Sequence, residues 1–330
     1  MTELVSVVFP VGPGDVDAAA ALRDMLGQTW QELEVLLVLN GASAKVRADL
    51  EKVQDMRVRR FDLGAEPALL PALQLAIKQA KGRFLARMDA DDRCDPRRIE
   101  ATIQPLSAGQ GEVASCGIEL CDPLGAGMER YVDWVNGLDS AEKVSRNRFV
   151  ESPVVQPTVI VSRAAFERAG GYRDDGLPED YSLWLRLLGD GVCFSKVPSK
   201  LYQWRDRPDR LTRSDERFSQ QKMLAAKAEG LARLDNVRDN GVMLAGGGPI
   251  GRRLARRLDE RGIEVRGFFE VNPAKIGRTI LGKPVFGLEK LGTVEQEAVL
   301  LATVGGKREL LRELAKEAGY REGDDFWACC

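Results

Sequence analysis

The sequence predicts an α/β protein in which two parallel sheets follow one another along the chain. Short apolar segments alternate with helical patterns through about the first hundred residues. The same alternation begins again near residue 240, where a glycine-rich turn separates an apolar segment from a helical one. The chain has 330 residues, about twice the length of a typical domain, and this length also favours two domains.

The first elements follow from the spacing of the apolar residues. A short apolar run that ends at Pro10 predicts the first strand. Residues 15–26 have helical spacing, with Asp15 as the expected N-cap. The run EVLLVL over residues 34–39 predicts a second strand that stops at Asn40.

The next elements continue this alternation. Helical patterns near residues 44–54 and 68–81 alternate with strand patterns at residues 58–62 and 84–88. Fully apolar strands that alternate with helices are typical of a parallel sheet covered on both faces. The first domain is therefore predicted to have a Rossmann-like nucleotide-binding fold.

The middle of the chain is less regular. Short strand-like segments at residues 113–120 and 158–161 are separated by clusters of Gly, Pro and Asp, and an apolar helix is predicted at residues 181–188. A charged stretch over residues 205–217 indicates a solvated surface and leads into a helix predicted at residues 219–234. We expect this last helix to pack on the first domain.

A second β-α-β pattern begins near residue 240. Strands are predicted at residues 242–245, 265–269 and 298–303, with a helix at residues 252–261. The predicted organisation is a first domain over residues 1–205, a helical linker over residues 206–240 and a small Rossmann-like domain over residues 241–330.

The composition excludes several classes of function. The chain contains no histidine, so Ser-His-Asp triads, HExxH zinc sites and imidazole acid–base chemistry are excluded. The 48 basic and 50 acidic residues give a net charge of −2, which provides no electrostatic footprint for nucleic acid. No apolar run approaches the about 18 residues of a membrane span, and the N-terminus lacks the basic region of a signal peptide. A cytoplasmic protein with packed, reduced cysteines is therefore expected.

Three carboxylates, Asp89, Asp91 and Asp92, follow the strand predicted at residues 84–88. In open α/β sheets, ligands bind beyond the carboxyl ends of the strands. In extended backbone, Asp89 and Asp91 point the same way and can converge on one cation. Their hard oxygen ligands suit Mg²⁺ or Mn²⁺ bridging a diphosphate. The alternative is an acidic surface turn before a helix, and Asp95 does fit the N-cap of that helix.

A glycine loop near the C-terminus is the second candidate site. Gly246, Gly248 and Gly251 form a G-x-G-x-x-G pattern between a strand and a helix, and Glu270 ends the next strand. Backbone amides at the start of a helix can receive a phosphate, and Glu270 can accept a hydrogen bond from a ribose hydroxyl. The alternative is a glycine turn that serves only close helix–strand packing, without a ligand.

Four segments resemble, in the right order, the signature segments of family-2 glycosyltransferases with the GT-A fold. They are VSVVFPV, EVLLVLNGAS, ALLPALQLAIKQAKGRFLARMDADD and QPTVIVSRAAFERAGGYRDDGLPEDYSLWLRL, within residues 4–205. The resemblance implies sugar transfer from a nucleotide-diphosphate donor, with inversion at the anomeric carbon, in cell-surface glycan or polysaccharide assembly. The processive synthases of the family carry Q-x-x-R-W, which the QWR of residues 203–205 does not match. Transfer of a single sugar is therefore expected.

The resemblance also assigns roles on the donor side, where the donor is expected to be UDP- or GDP-linked. Asp91 corresponds to the direct metal ligand of the DXD motif, and Asp89 to a contact with the ribose or the metal shell. The metal would neutralise charge that develops on the departing nucleotide. A nucleobase pocket is expected from the first three of the donor-binding residues, which are Pro10, Val11, Asn40, Asp89, Ala90 and Asp91.

On the acceptor side, the resemblance maps the base of the family onto Asp180, with Glu179 as a supporting hydrogen-bond partner. Inversion by direct displacement needs a base near the acceptor hydroxyl. From the residues alone, two carboxylates at a helix start also fit charges that complement the helix dipole. The expected acceptor is a glycan, a lipid-linked acceptor or a small molecule, and peripheral membrane association stays open for the lipid-linked case.

Three positions depart from the family pattern. Leu39-Asn40 lies where the family often has an Asp-Asp pair, and Gln156 and Arg207 lie where it usually has histidine. The metal shell therefore lacks an imidazole and is carboxylate-only or supplemented by phosphate-binding Arg205 and Arg207. A catalytically impaired nucleotide-sugar sensor or scaffold is accordingly the main alternative function.

The C-terminal part resembles the small Rossmann modules of sugar-modifying enzymes, including the N-terminal domains of some sugar acetyltransferases. The segments that carry this resemblance are VMLAGGGPIGRRLARRL and VRGFFEVNPAKIGRTILGKPVFG. It implies a second nucleotide or nucleotide sugar at the glycine loop. An NAD(P)-dependent oxidoreductase is a third hypothesis, although the domain is too short for a dehydrogenase with its own catalytic half.

Overall fold

The computed structural model of the protein describes residues 3–208, 210, 213 and 215–330. The chain forms two compact units, each composed of three chain segments. The first unit comprises Met1–Ala141, Val154–Asp175 and Asp190–Arg213. The second unit comprises Glu142–Pro153, Gly176–Gly189 and Ser214–Cys330. The segments of the two compact units alternate along the chain. The domain limits 1–205, 206–240 and 241–330 stay a prediction.

The strands of the first unit alternate with helices, as the apolar pattern predicts. The strands are β1 (Val5–Val11), β2 (Leu33–Leu39), β3 (Val58–Asp62), β4 (Phe84–Arg87), β5 (Arg93–Cys94), β6 (Val113–Cys121), β7 (Val159–Ser162) and β8 (Phe194–Arg205). The helices up to residue 168 are α1 (Ala18–Leu26), α2 (Ala44–Glu51), α3 (Leu69–Gln79), α4 (Arg98–Ser107), α5 (Ala126–Asn136), α6 (Ala141–Arg146) and α7 (Arg163–Arg168).

The sheet of the first unit has the strand order β3-β2-β1-β4-β7-β6-β8-β5. The first four strands are parallel, with Val7 of β1 opposite Val35 of β2 and Ala86 of β4. Strand β7 runs antiparallel to both β4 and β6, so the sheet as a whole is mixed. The carboxyl ends of β1, β2 and β4 therefore meet at one edge of the sheet, where loops can converge on a ligand.

Both faces of the parallel strands are covered, which explains their continuous apolar sequences. All seven residues of β1 are buried. Val7 and Phe9 lie in one apolar cluster with α1 and α4, whereas Val8 lies in another with Leu73 and Ala76 of α3. Because successive strand residues point to opposite faces, this two-sided burial requires apolar residues at consecutive positions.

Several expected element boundaries are wrong, and Asp95 does not cap α4, whose N-cap residue is Arg97. Strand β1 continues through Pro10 to Val11, because pairing with β4 reaches only Val8 and the missing N–H of Pro10 breaks no bond to that strand. Helix α1 begins at Ala18, and Asp15 does not cap it. The carboxylate of Asp15 instead accepts a 2.6 Å hydrogen bond from the backbone N–H of Gly12.

The second unit contains a smaller sheet with the order β11-β12-β10-β9-β13-β14. Its strands are β9 (Val242–Ala245), β10 (Val265–Glu270), β11 (Thr279–Ile280), β12 (Lys283–Gly287), β13 (Val299–Ala302) and β14 (Phe326–Ala328). Its helices are α8 (Glu179–Gly189), α9 (Gln220–Ala232), α10 (Asp235–Asn240), α11 (Pro249–Asp259) and α12 (Arg308–Glu317). All neighbouring strands are parallel except β11 and β12. The strand order changes direction between β9 and β13: β10 and β12 follow on one side of β9, and β13 and β14 follow on the other.

Helix α9 packs against both α8 and α11. Gly230 makes the first of these contacts close, since a Cβ there would lie 3.0 Å from the ring of Phe149 and 3.3 Å from Leu185. Both partner helices belong to the second compact unit, and the packing of this helix on the predicted first domain stays a prediction.

The segment 142–153 is fixed to the second unit by aromatic and buried polar contacts. The Arg148 guanidinium lies 4.2 Å above the Trp327 ring, and Phe149 meets the same ring edge-on. Buried Lys227 donates hydrogen bonds to the carbonyl oxygens of Val150 and Cys329, at 2.8 and 3.1 Å. These contacts explain why a segment distant in sequence belongs to this unit.

Helices of the described ranges are all too short or too polar to cross a bilayer. The six cysteines are free, and Cys94, Cys116 and Cys329 are buried. Burial raises the pKa of both Cys94 and Cys329 to about 12, so these thiols stay protonated and pack as small apolar side chains.

Lys196 of β8 is a buried cation whose Nζ has no hydrogen-bond partner among the described residues. Burial lowers its pKa from 10.5 to about 8. Lys196→Met is therefore expected to increase the free energy of unfolding near pH 7 by about 1–3 kcal/mol. Because the native state releases this proton first, the gain should shrink as the pH rises from 8 toward 10.5.

Urea unfolding at pH 7 and pH 9.5 measures this difference. Lys200→Met, at an exposed lysine of the same strand, is the control and should change the free energy of unfolding by less than about 0.5 kcal/mol. An equal gain at both pH values would contradict the assignment of the effect to the buried charge.

Candidate functional site

Three carboxylates converge where β4 ends. One carboxylate oxygen from each of Asp89, Asp91 and Asp92 lies within 4.8 Å of the other two. This turn follows β4 at the sheet edge where β1 and β2 also end. The structure thus brings together the Asp89 and Asp91 side chains that the sequence pairs, with Ala90 buried between them. It also adds Asp92, to which the sequence assigned no role of its own.

Asp92 anchors the turn to β8. Its carboxylate accepts 2.8 Å hydrogen bonds from the Tyr202 hydroxyl and from the backbone N–H of Arg205. The Tyr202 hydroxyl in turn accepts a 3.3 Å hydrogen bond from the backbone N–H of Asp89. Burial, and then the charge of Asp91, raise the pKa of Asp92 well above its ordinary value. Asp92 therefore holds the turn in place, while Asp89 and Asp91 are more exposed.

Asp89 is paired with Arg87, the last residue of the preceding strand β4. The Nε of Arg87 donates a 2.7 Å hydrogen bond to Asp89, and a second nitrogen of Arg87 donates to the side-chain oxygen of Gln156. Gln156 is 7% exposed, and its Nε2 has no hydrogen-bond partner among the described residues. Gln156, which occupies a position where histidine is expected from the family resemblance, therefore supports Arg87 through its oxygen.

Asp91 lies beside a second arginine from the segment after β8. The Nη1 of Arg207 is 3.5 Å from Asp91 and 3.6 Å from Asp15. Burial and the charge of Asp89 raise the pKa of Asp91. Burial, together with the charge of Asp91, raises the pKa of Asp15 to about 6, although the hydrogen bond from Gly12 opposes the shift. Asp15 is thus a fourth carboxylate of the site.

The residues expected at the nucleobase lie at the ends of β1 and β2. Pro10 and Val11 are buried within β1, and the backbone N–H of Asn40 donates a 2.8 Å hydrogen bond to the Val11 carbonyl. The Asn40 side-chain oxygen accepts a 2.6 Å hydrogen bond from the backbone N–H of Ala68. The contact of these residues with a base stays a prediction.

Glu179 and Asp180 begin α8 and belong to the second unit. Glu179 is 2% exposed and forms a 3.5 Å ion pair with Arg217. One oxygen of the half-buried Asp180 accepts a 2.6 Å hydrogen bond from the backbone N–H of Tyr181. Glu179 is thus the enclosed member of the pair and Asp180 the more accessible one, and their roles as support and base stay a prediction.

The C-terminal glycine loop lies between β9 and α11. Glu270 at the end of β10 accepts hydrogen bonds from the backbone N–H of Gly247 at 3.0 Å and from Lys275 at 2.6 Å. Burial opposes ionisation of Glu270, but these hydrogen bonds outweigh it and lower the pKa of the carboxyl. An open recess of about 460 Å³ follows the neighbouring strand β13, lined by residues 305–310.

Packing and backbone conformation account for two of the three motif glycines. Gly246 has a φ of +114°, and a Cβ on Gly251 would lie 2.0 Å from the carbonyl oxygen of Gly246. A Cβ on Gly248, by contrast, would meet no atom within 4 Å. Gly248 is therefore the motif glycine whose surroundings leave open space.

Gly251→Ala and Gly248→Ala form a matched pair that separates these roles. Gly251→Ala is expected to lower the free energy of unfolding of the second unit by about 1–3 kcal/mol, because the backbone carbonyl of Gly246 must move. Gly248→Ala should cost less than about 1 kcal/mol, since φ is −76° and the added methyl group meets open space.

Thermal unfolding of the two variants, together with hydrogen exchange of β9 and α11, measures this difference. Equal destabilisation by both substitutions would contradict the assignment of Gly251 to close helix–strand packing.

Comparisons with known proteins found a family model and several relatives that match part of the chain. Residues 17–169 match the family described as Glycosyl transferase family 2. An Escherichia coli UDP-Gal:alpha-D-GlcNAc-diphosphoundecaprenol beta-1,3-galactosyltransferase is 28% identical over 191 residues, which are 56% of this chain and 67% of that protein. The Escherichia coli O-antigen biosynthesis glycosyltransferase WbnJ is 24% identical over 57% of this chain and 73% of that protein.

Solved structures share the fold at low sequence identity. Staphylococcus aureus TarS 1-349 in complex with UDP-GlcNAc has a TM-score of 0.57 at 15% identity, over 78% of this chain and 72% of that chain. The mannosyltransferase PcManGT from Pyrobaculum calidifontis, in complex with GDP-Man and Mn²⁺, has a TM-score of 0.51 at 16% identity, over 69% of this chain and 62% of that chain. These likenesses concern the fold.

Proposed function

We propose that the chain, a family-2 glycosyltransferase of GT-A-type fold that uses a nucleotide sugar in glycan biosynthesis, catalyses one specific reaction. The enzyme transfers a single sugar from a UDP- or GDP-linked donor to an acceptor hydroxyl, with inversion at the anomeric carbon. The observation that carries the proposal is the convergence of Asp89, Asp91 and Asp92 within 4.8 Å at the carboxyl edge of the parallel strands.

The carboxylate turn fits a divalent cation. Asp92 is held by β8, so Asp89 and Asp91 are the carboxylates that would hold Mg²⁺ or Mn²⁺, both of which prefer oxygen ligands. Burial and then the charge of Asp89 raise the pKa of Asp91, and a bound cation would relieve the repulsion between the two carboxylates. When bound, the cation supplies charge neutralisation to the diphosphate that leaves.

Asp180 is the proposed general base. It takes the proton of the acceptor hydroxyl while the acceptor oxygen forms a bond to the anomeric carbon of the donor. The bond from that carbon to the diphosphate oxygen breaks, and its electron pair leaves with the nucleotide. Glu179, buried and paired with Arg217, keeps its carboxylate out of this step and fixes the start of α8.

We propose a lipid-linked saccharide as the first acceptor class to test, ahead of a free glycan or a small molecule. The support is the name of the Escherichia coli relative, which specifies a GlcNAc-diphosphoundecaprenol acceptor. Such an acceptor would bring the protein to a membrane surface peripherally. A parallel assay with free saccharides distinguishes the acceptor classes.

A nucleotide-sugar sensor or scaffold is the second candidate function. It is favoured by Gln156 and Arg207, because neither offers the cation an uncharged imidazole nitrogen, and Arg207 places a positive charge beside Asp91. A sensor would bind UDP or GDP with an affinity that Asp180→Asn leaves unchanged, and it would release no nucleotide from any donor.

We also propose that the second unit binds a nucleotide or nucleotide sugar at its glycine loop. The supporting features are the change of chain direction across the sheet between β9 and β13, the open space at Gly248, and Glu270 at the end of β10. Ligands of doubly wound sheets bind at such a change of direction. Titration calorimetry with UDP, GDP and NAD(H) on Gly248→Val tests this proposal.

Asp91→Asn is expected to lower nucleotide release from the productive donor, with Mn²⁺ and acceptor present, by about a hundredfold or more. The substitution removes the charge but keeps the size of the side chain, so the fold should be retained. Asp95→Asn, three residues after the carboxylate cluster and paired with the exposed Arg97, is the control and should keep nearly full activity. Equal activity of the Asp91→Asn and Asp95→Asn variants would sink the assignment.

Asp180→Asn is expected to lower kcat by about 10²–10⁴ while the Kd for UDP or GDP stays within about twofold. The reason is that the amide cannot accept the acceptor proton, whereas donor contacts are assigned to other residues. Asp190→Asn, at the exposed residue just after α8, is the control. Single-turnover transfer and calorimetry measure the two quantities, and a loss of nucleotide affinity that parallels the loss of kcat would argue against a base.

A further inference from the structure

Arg207 lies between two carboxylates of the candidate donor site. Its Nη1 is 3.5 Å from Asp91 and 3.6 Å from Asp15. All three side chains are only about one-fifth exposed, at 22, 18 and 20%. At these distances in a partly desolvated site, the attraction between the charges is stronger than on an open surface.

The two residues before Arg207 are held by hydrogen bonds to other parts of the first unit, and these bonds determine where Arg207 lies. The backbone N–H of Arg205 donates to Asp92 at 2.8 Å. The backbone N–H of Asp206 donates to the Cys121 carbonyl at 3.0 Å, and the buried Asp206 carboxylate accepts from the backbone N–H of Leu124 at 3.0 Å. The chain therefore delivers the side chain of residue 207 directly to the carboxylates.

The contacts of Arg207 are longer than the contact that Arg87 makes at the same site. Arg87 donates to Asp89 at 2.7 Å, the length of a charge-assisted hydrogen bond. Arg207 contacts Asp91 and Asp15 about 0.8 Å farther away, at a distance of electrostatic attraction rather than of a short hydrogen bond. A diphosphate offers a guanidinium two oxygens in the geometry that two parallel hydrogen bonds need.

We propose that Arg207 is a positioning residue that exchanges between two anionic partners. In the donor-free protein it neutralises Asp91 and Asp15. When a nucleotide sugar enters, its guanidinium moves to the diphosphate and leaves Asp91 available to a divalent cation. This inference rests on the proposed function and deepens it, since it makes cation binding at Asp91 dependent on the donor.

Two binding measurements on Arg207→Gln test the exchange, and neither requires catalysis. The Mn²⁺ affinity of nucleotide-free protein, from the electron paramagnetic resonance signal of free Mn²⁺, should rise at least about tenfold, because the positive charge that contacts Asp91 and Asp15 is gone. The affinity for UDP and for GDP without any divalent cation, from calorimetry in EDTA, should fall at least about tenfold, because the diphosphate loses its guanidinium.

Two further variants make the test specific. Arg97→Gln is the control: Arg97 is exposed, lies outside the carboxylate turn and pairs with Asp95 instead, so both affinities should stay within about twofold. Arg207→Lys keeps the positive charge, so its Mn²⁺ affinity should return toward that of the wild type. Circular dichroism and thermal unfolding verify that each variant is folded.

The outcomes separate the inference from the proposed function. Opposite changes of the two affinities in Arg207→Gln support the exchange. Wild-type protein that binds both ligands, with both affinities unchanged or both lowered in Arg207→Gln, overturns the exchange alone. Wild-type protein that binds neither Mn²⁺ nor UDP nor GDP overturns the proposed function, and the exchange with it.

Discussion

The site depends on the pair of hydrogen bonds through which Asp92 ties the end of β4 to the end of β8. Three carboxylates within 4.8 Å repel one another, and an isolated turn of this sequence would spread them apart. The Tyr202 hydroxyl and the Arg205 N–H hold Asp92 inside the protein. Asp92 is therefore the most buried of the three carboxylates, and its neighbours Asp89 and Asp91 are held close together.

The same hydrogen bonds determine which positively charged side chain lies beside the carboxylates. Because Asp92 binds the backbone of Arg205, the chain arrives with residue 207 beside Asp91. In the described part of the chain, Asp89 and Asp91 form their ion pairs with the guanidinium groups of Arg87 and Arg207, and the sequence has no histidine. Arginine stays protonated throughout the physiological pH range, whereas an imidazole would titrate. The positive charge near the carboxylates therefore changes when an arginine side chain moves, and not when an arginine loses its proton.

The sequence predicts the parallel part of the fold well, because burial on both faces of β1 and β2 requires continuous apolar runs. The convergence of Asp89 and Asp91 follows from the same logic, since both come directly after β4. Tyr202 could not be found this way: it meets Asp92 110 residues away, through a two-residue pairing of β5 with β8 that no periodicity reveals. Asp15 was missed because an aspartate before an alanine-rich run has the pattern of an N-cap. Its carboxylate folds back onto Gly12 instead, and this turns it toward the site.

The glycine loop of the second unit shows how far a motif can serve as evidence for a ligand. The positive φ of Gly246 and the 2.0 Å approach at Gly251 would preserve two of its three glycines even if nothing were bound. Glu270 is likewise engaged within the unit, by Gly247 and Lys275. A ribose that binds Glu270 must therefore compete with a 2.6 Å ion pair, and its binding should release the Lys275 ammonium. Only Gly248 has surroundings that packing leaves unexplained, so a bulky side chain at this position, rather than at Gly246 or Gly251, distinguishes loss of a ligand from loss of the fold.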